Sequence, residues 1–573
     1  MPKSLTNFDD YINQALADWH IPGAAVAITQ GDQTLHLSGH GLRDIEKNLA
    51  VTEHTRFPIA SMTKPFTAMG AALLVDEGLL DWDKPIRDVM PEFRLHDEYA
   101  TQHATLRDLL SHRTGLPRHD ATWYGNAAKP RIEAIKELRH LKPNAPFRSL
   151  FQYNNLMFEA VGHLCAVVTE SDSWETFLQE RILNPLGLNN TTPNYDSNGK
   201  TFDDIAQPYR LKLGGTTPQI IPFYQNSLGP AGSMYSTLSD MVTWIKVHAQ
   251  QGMFNGEAFV SPYNLKQMHT PHTLIAATTQ QERLFNNNVF AYGLGWFIEP
   301  YNGATLIHHG GNIDGFSLMA AFVPQEDLTV VVLTNIDGKG LRSALLYEAV
   351  DRALGREGRD WSSDMLSAAK VTQEAALKSN ASTAADRLSD APATHALKDF
   401  AGHYAAPAYE DIHVEWKDNA LRMFFYGEYW PLEHYQHNIF ELDMSSRFDE
   451  KLKVTFDLDK NSHIICLNLP IEPAIGDMAF TKKPLEPTPE QMALWVGEYD
   501  FPAEGQDVTV SVDDGVLSLA LTGDAKKVLQ CIELGEQKSC FMFEDDSESV
   551  VAFWDGGLSI KSPGAFYECT RKL

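Results

Sequence analysis

Cysteine is scarce in this chain. Five thiols occur in 573 residues: Cys165, Cys466, Cys531, Cys540 and Cys569. Their spacings match no zinc motif, and they are too few to staple a fold of this length. Reduced thiols are expected, with Cys531–Cys540 the one bridge considered. Long apolar runs are also missing, and no stretch reaches the length that crosses a bilayer as a helix. The first ten residues hold no apolar core of the signal-peptide kind, so a cytoplasmic location is expected. Basic residues are in short supply, 47 Lys and Arg against 75 Asp and Glu, for a formal net charge of -28. That balance argues against nucleic acid or an anionic membrane as a partner. The chain is too long for one hydrophobic core, so two to four domains are expected.

What is present is organised around Phe57-Pro-Ile-Ala-Ser-Met-Thr-Lys-Pro-Phe66. Ser61 and Lys64 form S-x-x-K, and an apolar run from Phe66 to Val75 follows at once. The run predicts a buried helix whose first turn carries both residues, one turn apart on one face. A serine hydroxyl needs a neighbouring base to become a nucleophile at neutral pH. A lysine whose pKa is lowered by an apolar pocket can be that base. The Ser61 amide near a helix N-terminus would favour a developing oxyanion.

Residues 5–19 show helical periodicity, with Phe8, Ile12, Leu16 and Trp19 on one stripe. Residues 24–29 and 34–38 flank Gly31-Asp32 and read as a hairpin. A short helix within 105–117 is closed by Gly115 and Pro117, and His112 in it is read as structural. The loop 119–129 is polar and aromatic and carries Trp123 and Tyr124, which are read as pocket lining. Loops 123–126 and 224–229 are expected to shape the pocket. Tyr153 and Asn155 sit in the turn before an apolar helix over 156–168, where Asn is a good cap. Gly229 to Ser233 is glycine-rich, and a helix is predicted over 238–250. Strands are predicted over 292–297, 304–309, 318–323 and 328–334, making an antiparallel sheet, with a closing helix over 341–354. Between two of the strands lies His309-Gly-Gly-Asn-Ile-Asp-Gly-Phe316.

From 356 to 396 the composition shifts to Ala, Ser, Asp and Lys and reads as a linker, partly helical. After it an internal repeat appears. Phe400-Ala-Gly-His-Tyr404 matches Trp495-Val-Gly-Glu-Tyr499, and each opening leads into alternating strands. Each unit ends alike, Phe480-Thr-Lys-Lys and Cys569-Thr-Arg-Lys. Two units of roughly ninety residues with many short strands predict two small antiparallel barrels or sandwiches.

Three sparse signals thus occur in one order: Ser61-x-x-Lys64, Tyr153-x-Asn155 and His309-x-Gly311. In this order the chain resembles the penicillin-recognising serine hydrolases, with Y-x-N and H-x-G standing for S-D-N and K-T-G. Leu109-Leu-Ser-His-Arg-Thr-Gly-Leu116 and Pro185-Leu-Gly187 add to the likeness, which covers about residues 7 to 355. The doubled C-terminal unit is similar to the three-domain D-aminopeptidase architecture, in which a barrel contributes a loop to the active-site entrance. The resemblance implies an α+β fold. A β-lactamase/transpeptidase-like domain over 1–355 and a linker over 356–396 would precede lipocalin-like barrels over 397–485 and 486–573.

The resemblance also implies roles. Ser61 would attack a carbonyl, and Lys64 and Tyr153 would share proton transfer. Asn155 would hydrogen-bond Lys64 or the substrate amide, and His309 would line the cleft. The amides of Ser61 and Asn312 would form the oxyanion hole, and Gly310 and Gly311 would flank the substrate with Trp123 and Tyr124. No metal and no cofactor is called for. The expected activity is hydrolysis of a small amide, ester or short peptide through an acyl-enzyme, with D-aminopeptidase or D-amino-acid amidase action the leading case. A carboxylesterase or acyltransferase is the first rival. A β-lactamase, a DD-carboxypeptidase and a non-catalytic scaffold stand behind it. Assembly into a homo-oligomer is left open.

Overall fold

Leu328-Thr-Val-Val-Val-Leu-Thr334 is apolar at nearly every position because its strand is covered on both faces. Leu328, Val330 and Val332 pack into one hydrophobic cluster, and Val331 and Leu333 into another. The period of two sends alternate residues to opposite sides. The computed structural model describes residues 5–572 except 125–128, 195–202, 222–227, 279–281, 283–286, 288, 339, 357, 386, 389, 449, 504, 535–537 and 563–564.

The sheet has nine strands. In chain order they are β1 (Gly23–Gln30), β2 (Gln33–Asp44), β3 (Leu49–Ala50), β4 (Thr273–Ala276), β5 (Val289–Tyr292), β6 (Phe297–Tyr301), β7 (Ala304–Ile313), β8 (Phe316–Val323) and β9 (Leu328–Thr334). Their spatial order is β4-β5-β6-β7-β8-β9-β1-β2-β3, and every pairing is antiparallel. One face is covered by α1 (Phe8–Asp18), which buries Phe8, Ile12, Ala15 and Leu16. The other packs on α2 (Lys64–Asp76), α3 (Asn155–Val168) and α4 (Leu238–Ala249). The closing helix α5 (Gly340–Ala353) joins α1 on its face.

Three details differ from the sequence reading, and a fourth, the helix in the partly helical linker, gives that reading its bounds. Ser61 lies in a 3₁₀ turn, Ala60–Thr63, and α2 begins at Lys64 with Pro65 in its first turn, where a missing N–H costs nothing. The stretch 292–297 is a turn between β5 and β6, because Gly295 takes a φ of +83° that a strand residue does not adopt. The cap of α3 is Asn154, whose side chain accepts from Met157 N at 3.2 Å, while Asn155 is the first helical residue. The presumed linker holds a 25-residue helix, α6 (Trp361–Ala385). Trp361 and Met365 pin its start to the cluster under α5.

Two closed eight-stranded antiparallel barrels follow. The first runs from Gly402–Ala405 to Gly476–Lys482, and the second from Gly497–Phe501 to Ala565–Arg571. The repeat has a physical basis. Tyr404 OH donates to Phe400 O at 2.9 Å and Tyr499 OH donates to Trp495 O at 2.7 Å, so the same buried bond pins each barrel's opening. No disulfide joins Cys531 to Cys540. Among the described residues no helix is long and apolar enough to cross a membrane.

Candidate active site

The turn that carries Ser61 is set by the residue before it. Ala60 has a φ of +48°, a left-handed conformation uncommon outside glycine and often found where geometry is functionally constrained. Strand β7 runs close beside this turn. A Cβ on Gly311 would come within 2.3 Å of Ile59 O, so only glycine allows the approach. Gly311 is therefore packed against the turn that carries Ser61, and Gly310 lines a cavity.

Lys64 is fully buried, and its ammonium nitrogen has three neighbours. Nζ stands 3.1 Å from Ser61 Oγ, 2.7 Å from Asn155 Oδ1 and 2.8 Å from Ala231 O. Burial, helped by the nearby Arg118 charge and opposed by Asp120, holds its pKa well below the ordinary lysine value. A neutral amine has two N–H donors, and two neighbours, Asn155 Oδ1 and Ala231 O, are pure acceptors. In its neutral form Lys64 would turn its lone pair to the Ser61 hydroxyl, whereas the charged amine donates to it.

Tyr153 stacks beside this amine, with Lys64 Nζ 4.8 Å from its ring centroid. Burial pushes its phenol up to about 12, against a hydrogen bond with Ser61 and the Arg118 charge, so it is protonated at neutral pH. His112 packs on the far side at 4.4 Å between ring centroids and accepts from Asn154 N at 3.1 Å. That contact is structural support for the tyrosine. His309 lies 6.4 Å from Tyr153 between centroids and is 1 % exposed. Its Nδ1 donates to Gly310 O at 2.7 Å and its Nε2 accepts from Tyr292 OH at 2.9 Å. Burial is the main cause that holds its pKa well below the usual imidazole value, with any charge on Lys64 adding to it and the Gly310 bond opposing it.

Two cavities open at Ser61. One, of about 360 Å³, is lined by Ser61, Asn155, Asn312, Trp123 and Tyr124, and by three carboxylates, Asp120, Asp314 and Asp337, against one guanidinium, Arg118. Of the two loops expected to shape it, residues 125–126 and 224–227 lie outside the described residues. The other cavity, about 770 Å³, runs past Tyr153, His309, Gly310 and Arg342 to Phe151, Phe290 and Phe297. Arg342 Nη1 donates to Gly311 O and, at 3.0 Å, to Leu318 O, which ties it to β7 and β8.

Several partners carried no signal in the motifs. Asp120 Oδ1 accepts from Asn155 Nδ2 at 3.1 Å and from Trp123 Nε1 at 2.9 Å, so it orients the amide that holds Lys64. The Ala231 carbonyl lies in the glycine-rich segment noted above, but a backbone acceptor has no residue type to betray it. The first barrel supplies Tyr426 and Phe448 to the wall of the smaller cavity. It is fastened there by polar contacts to loop 119–124 and the β7–β8 turn. His119 N donates to Glu472 Oε2 at 2.6 Å, His119 Nδ1 lies 2.6 Å from Tyr409 OH, and Arg447 pairs with Asp314 at 2.9 Å.

Comparison with known proteins agrees with this architecture. The family model described as Beta-lactamase matches residues 8–354, and a domain of unknown function, DUF3471, matches 386–484. The unguisins hydrolase ungD' of Aspergillus campestris is 28 % identical over 430 residues, 72 % of this chain and 78 % of that protein. Protein flp of Staphylococcus aureus is 26 % identical over 345 residues, 59 % of this chain and 64 % of that one. The octameric penicillin-binding protein homologue from Pyrococcus abyssi superposes with a TM-score of 0.54 at 20 % identity, over 84 % of this chain and all of that one. A class C beta-lactamase gives 0.52 at 19 % identity, over 62 % of this chain and 97 % of that one. With a nine-stranded sheet, a buried Ser–Lys pair and a family match over residues 8–354, this chain belongs to the beta-lactamase family of serine hydrolases.

Proposed function

We propose that the protein hydrolyses small amides or esters through an acyl-enzyme on Ser61, with D-aminoacyl amides and short peptides as the leading substrates. The observation that carries this reading is the buried Lys64 Nζ, 3.1 Å from Ser61 Oγ and bonded also to Asn155 Oδ1 and Ala231 O, in a setting that lowers its pKa well below the ordinary lysine value. Lys64 takes the Ser61 proton as Oγ bonds the substrate carbonyl carbon. The amides of Ser61 and Asn312 hold the developing oxyanion. Tyr153, protonated at neutral pH, donates to the leaving nitrogen or oxygen as the scissile bond breaks. Water then attacks the ester, giving up a proton through the same pair and releasing Ser61.

The choice of an aminoacyl substrate is supported by the acceptors in the smaller cavity. Asp120, Asp314 and Asp337 line it, Asp120 paired with Arg118 at 2.6 Å and Asp314 with Arg447 at 2.9 Å, so the wall offers a substrate ammonium group carboxylate oxygens to bond without a large excess of negative charge. The larger cavity is aromatic and holds a neutral His309, which suits a leaving group without a free carboxylate. Esterase or acyltransferase action uses the same Ser–Lys–Tyr trio and remains the rival. Residues 1–355 would form the catalytic domain, 356–396 a connecting segment, and 397–485 and 486–573 the two barrels, the first shaping substrate access. A cytoplasmic setting fits five cysteines without a disulfide. The octameric state named for the Pyrococcus abyssi homologue makes self-assembly worth measuring here.

The test is a hydrolysis screen that pairs D- and L-aminoacyl p-nitroanilides with short acyl p-nitrophenyl esters, run on the wild type and Ser61→Ala. Faster turnover of D-aminoacyl anilides, abolished in Ser61→Ala, is expected. Activity confined to acyl esters would assign the rival, and activity that survives Ser61→Ala would remove the mechanism.

A further inference from the structure

We propose that Asp9, His36 and His40 form a binding site for one divalent transition-metal ion of the zinc class, on the face of the sheet opposite the catalytic chamber. One ring nitrogen from each histidine and one carboxylate oxygen lie within 4.8 Å of one another. His40 Nε2 is 3.6 Å from Asp9 Oδ1, and the two imidazoles stack at 5.7 Å between centroids with their planes 12° apart. Phe8 closes one side, edge-on to His36 at 5.3 Å.

Local structure explains why these residues meet. His36 and His40 are separated by an even number on β2, so both project from the same face. In register they stand opposite Ile28 and Ala24 on β1. Ile28 and Ala24 belong to the cluster under α1, whereas Ala25 and Ala27 point to the side of α2 and α3. Asp9 sits in the first turn of α1 and reaches the pair from above.

The polar atoms are what ask for a ligand. His36 Nε2 and His40 Nε2 are both buried and neither has a hydrogen-bond partner, and His40 as a whole is only 6 % exposed. Buried polar atoms without partners are rare and costly. A metal ion bridging the two rings removes that cost at both. Two imidazoles and one carboxylate suit zinc, nickel or copper, and not magnesium or calcium, which take all-oxygen shells. The Asp9 side chain is 66 % exposed and free to swing onto the ion, leaving a fourth position for water on the solvent side. The site has no part in the hydrolysis, so it stands apart from the metal-free expectation drawn from the catalytic motifs. Its effect is to clip α1 to β2 and stabilise the folded chain by binding it and not the unfolded one.

The experiment uses the full chain, stripped of metal, loaded with zinc and dialysed into metal-free buffer. The wild type is expected to retain one zinc per chain and to melt at a higher temperature with the metal than without it. His36→Gln/His40→Gln should lose both the retained zinc and the shift in melting, while fluorophosphonate labelling of Ser61 shows that it is folded. Asp9→Asn, at an exposed position, should bind zinc about tenfold more weakly or worse, the scale at which partners of a metal site act. Cobalt used as a visible-absorbing substitute should report the same ranking. No retention by the wild type, or equal retention by the double variant, overturns the site. An unchanged affinity in Asp9→Asn overturns the three-ligand form of it.

Discussion

Arg447 in the first barrel stands 2.9 Å from Asp314, just beyond the end of β7, the strand that borders Ser61. The same guanidinium donates to Glu428 at 3.0 Å and to Tyr124 OH at 2.9 Å, and Arg447 is 5 % exposed. Tyr124 in turn donates to Asp314 at 2.6 Å. One residue thus fixes two groups that line the smaller cavity and lie 133 and 323 positions away from it in sequence.

Removing one partner of a buried, hydrogen-bonded ion pair leaves the other uncompensated, at a cost of roughly 3 kcal/mol or more. Arg447→Met keeps the stem and removes the charge. We expect it to loosen the barrel without touching the chemistry. Fluorophosphonate labelling of Ser61 should proceed at its wild-type rate, while kcat/KM for the longer aminoacyl substrates falls about tenfold, equivalent to about 1.4 kcal/mol. A variant with unchanged preference across substrate sizes would detach the barrel from substrate access.

Ser61 is expected to be the acylated residue, with a fluorophosphonate adding mass to its peptide and leaving Ser61→Ala unlabelled. Lys64→Gln retains a polar side chain but no base, and Tyr153→Phe retains the ring but no proton. Each should lower turnover by roughly a hundredfold or more while the chain stays folded. Because burial depresses the Lys64 pKa, activity should fall as pH drops through that lowered value and the amine becomes charged. Tyr153 ionises near 12, so it should impose no alkaline loss in the ordinary working range. Near wild-type turnover in Tyr153→Phe would reassign the tyrosine to packing.

Glu299 offers a stability test outside the trio. Burial raises its carboxyl from 4.5 to about 7, opposed by a bond from Tyr347 OH at 2.7 Å. A carboxyl whose pKa is higher folded than unfolded binds more protons in the native state. Its contribution is therefore present below about 4.5 and is lost as pH rises through about 7, on the order of 3 kcal/mol in all. Glu299→Gln should unfold at higher denaturant than the wild type above pH 7, with the gap closing toward pH 5. Parallel curves at both pH values would show that the buried carboxyl does not govern this window.

The sequence exposed those parts of the site that are contiguous on one element. S-x-x-K, Y-x-N and H-x-G are short because each is fixed by a single turn or strand. The barrel repeat was legible because Tyr404 and Tyr499 must each reach a carbonyl four residues back. Asp120 and Arg447 were not legible. A lone acid or base in a loop looks like any other until packing brings it to Asn155 or Asp314. The Ala231 carbonyl has no side chain to read. Composition allowed a partly helical linker but not the bounds of α6, because Ala, Ser and Lys suit a solvated helix as well as a linker, and only Trp361 and Met365 mark where it docks.

His309 decides the last prediction. In K-T-G enzymes a lysine offers a permanent cation at this position, whereas an ordinary imidazole has a pKa of about 6.5. Here burial lowers it further, and the neutral ring already satisfies both nitrogens, one on Gly310 O and one on Tyr292 OH. Two arginines line this cavity: Arg342 is turned onto the carbonyls of Gly311 and Leu318, and Arg118 is paired with Asp120 at 2.6 Å. A substrate carboxylate therefore gains little here. The wild type is expected to cleave a D-alanyl amide in preference to a substrate ending in D-Ala-D-Ala. Since His309 titrates well below 6.5, the preference should hold from pH 8 down to about pH 6. His309→Lys restores a cation and should shift selectivity toward the carboxylate-bearing substrate. Arg342→Met separates the two cations, and it should leave the ratio of rates unchanged if the guanidinium serves only the strand. A wild-type preference for the D-Ala-D-Ala terminus would overturn the substrate assignment and leave the acyl-enzyme on Ser61 intact.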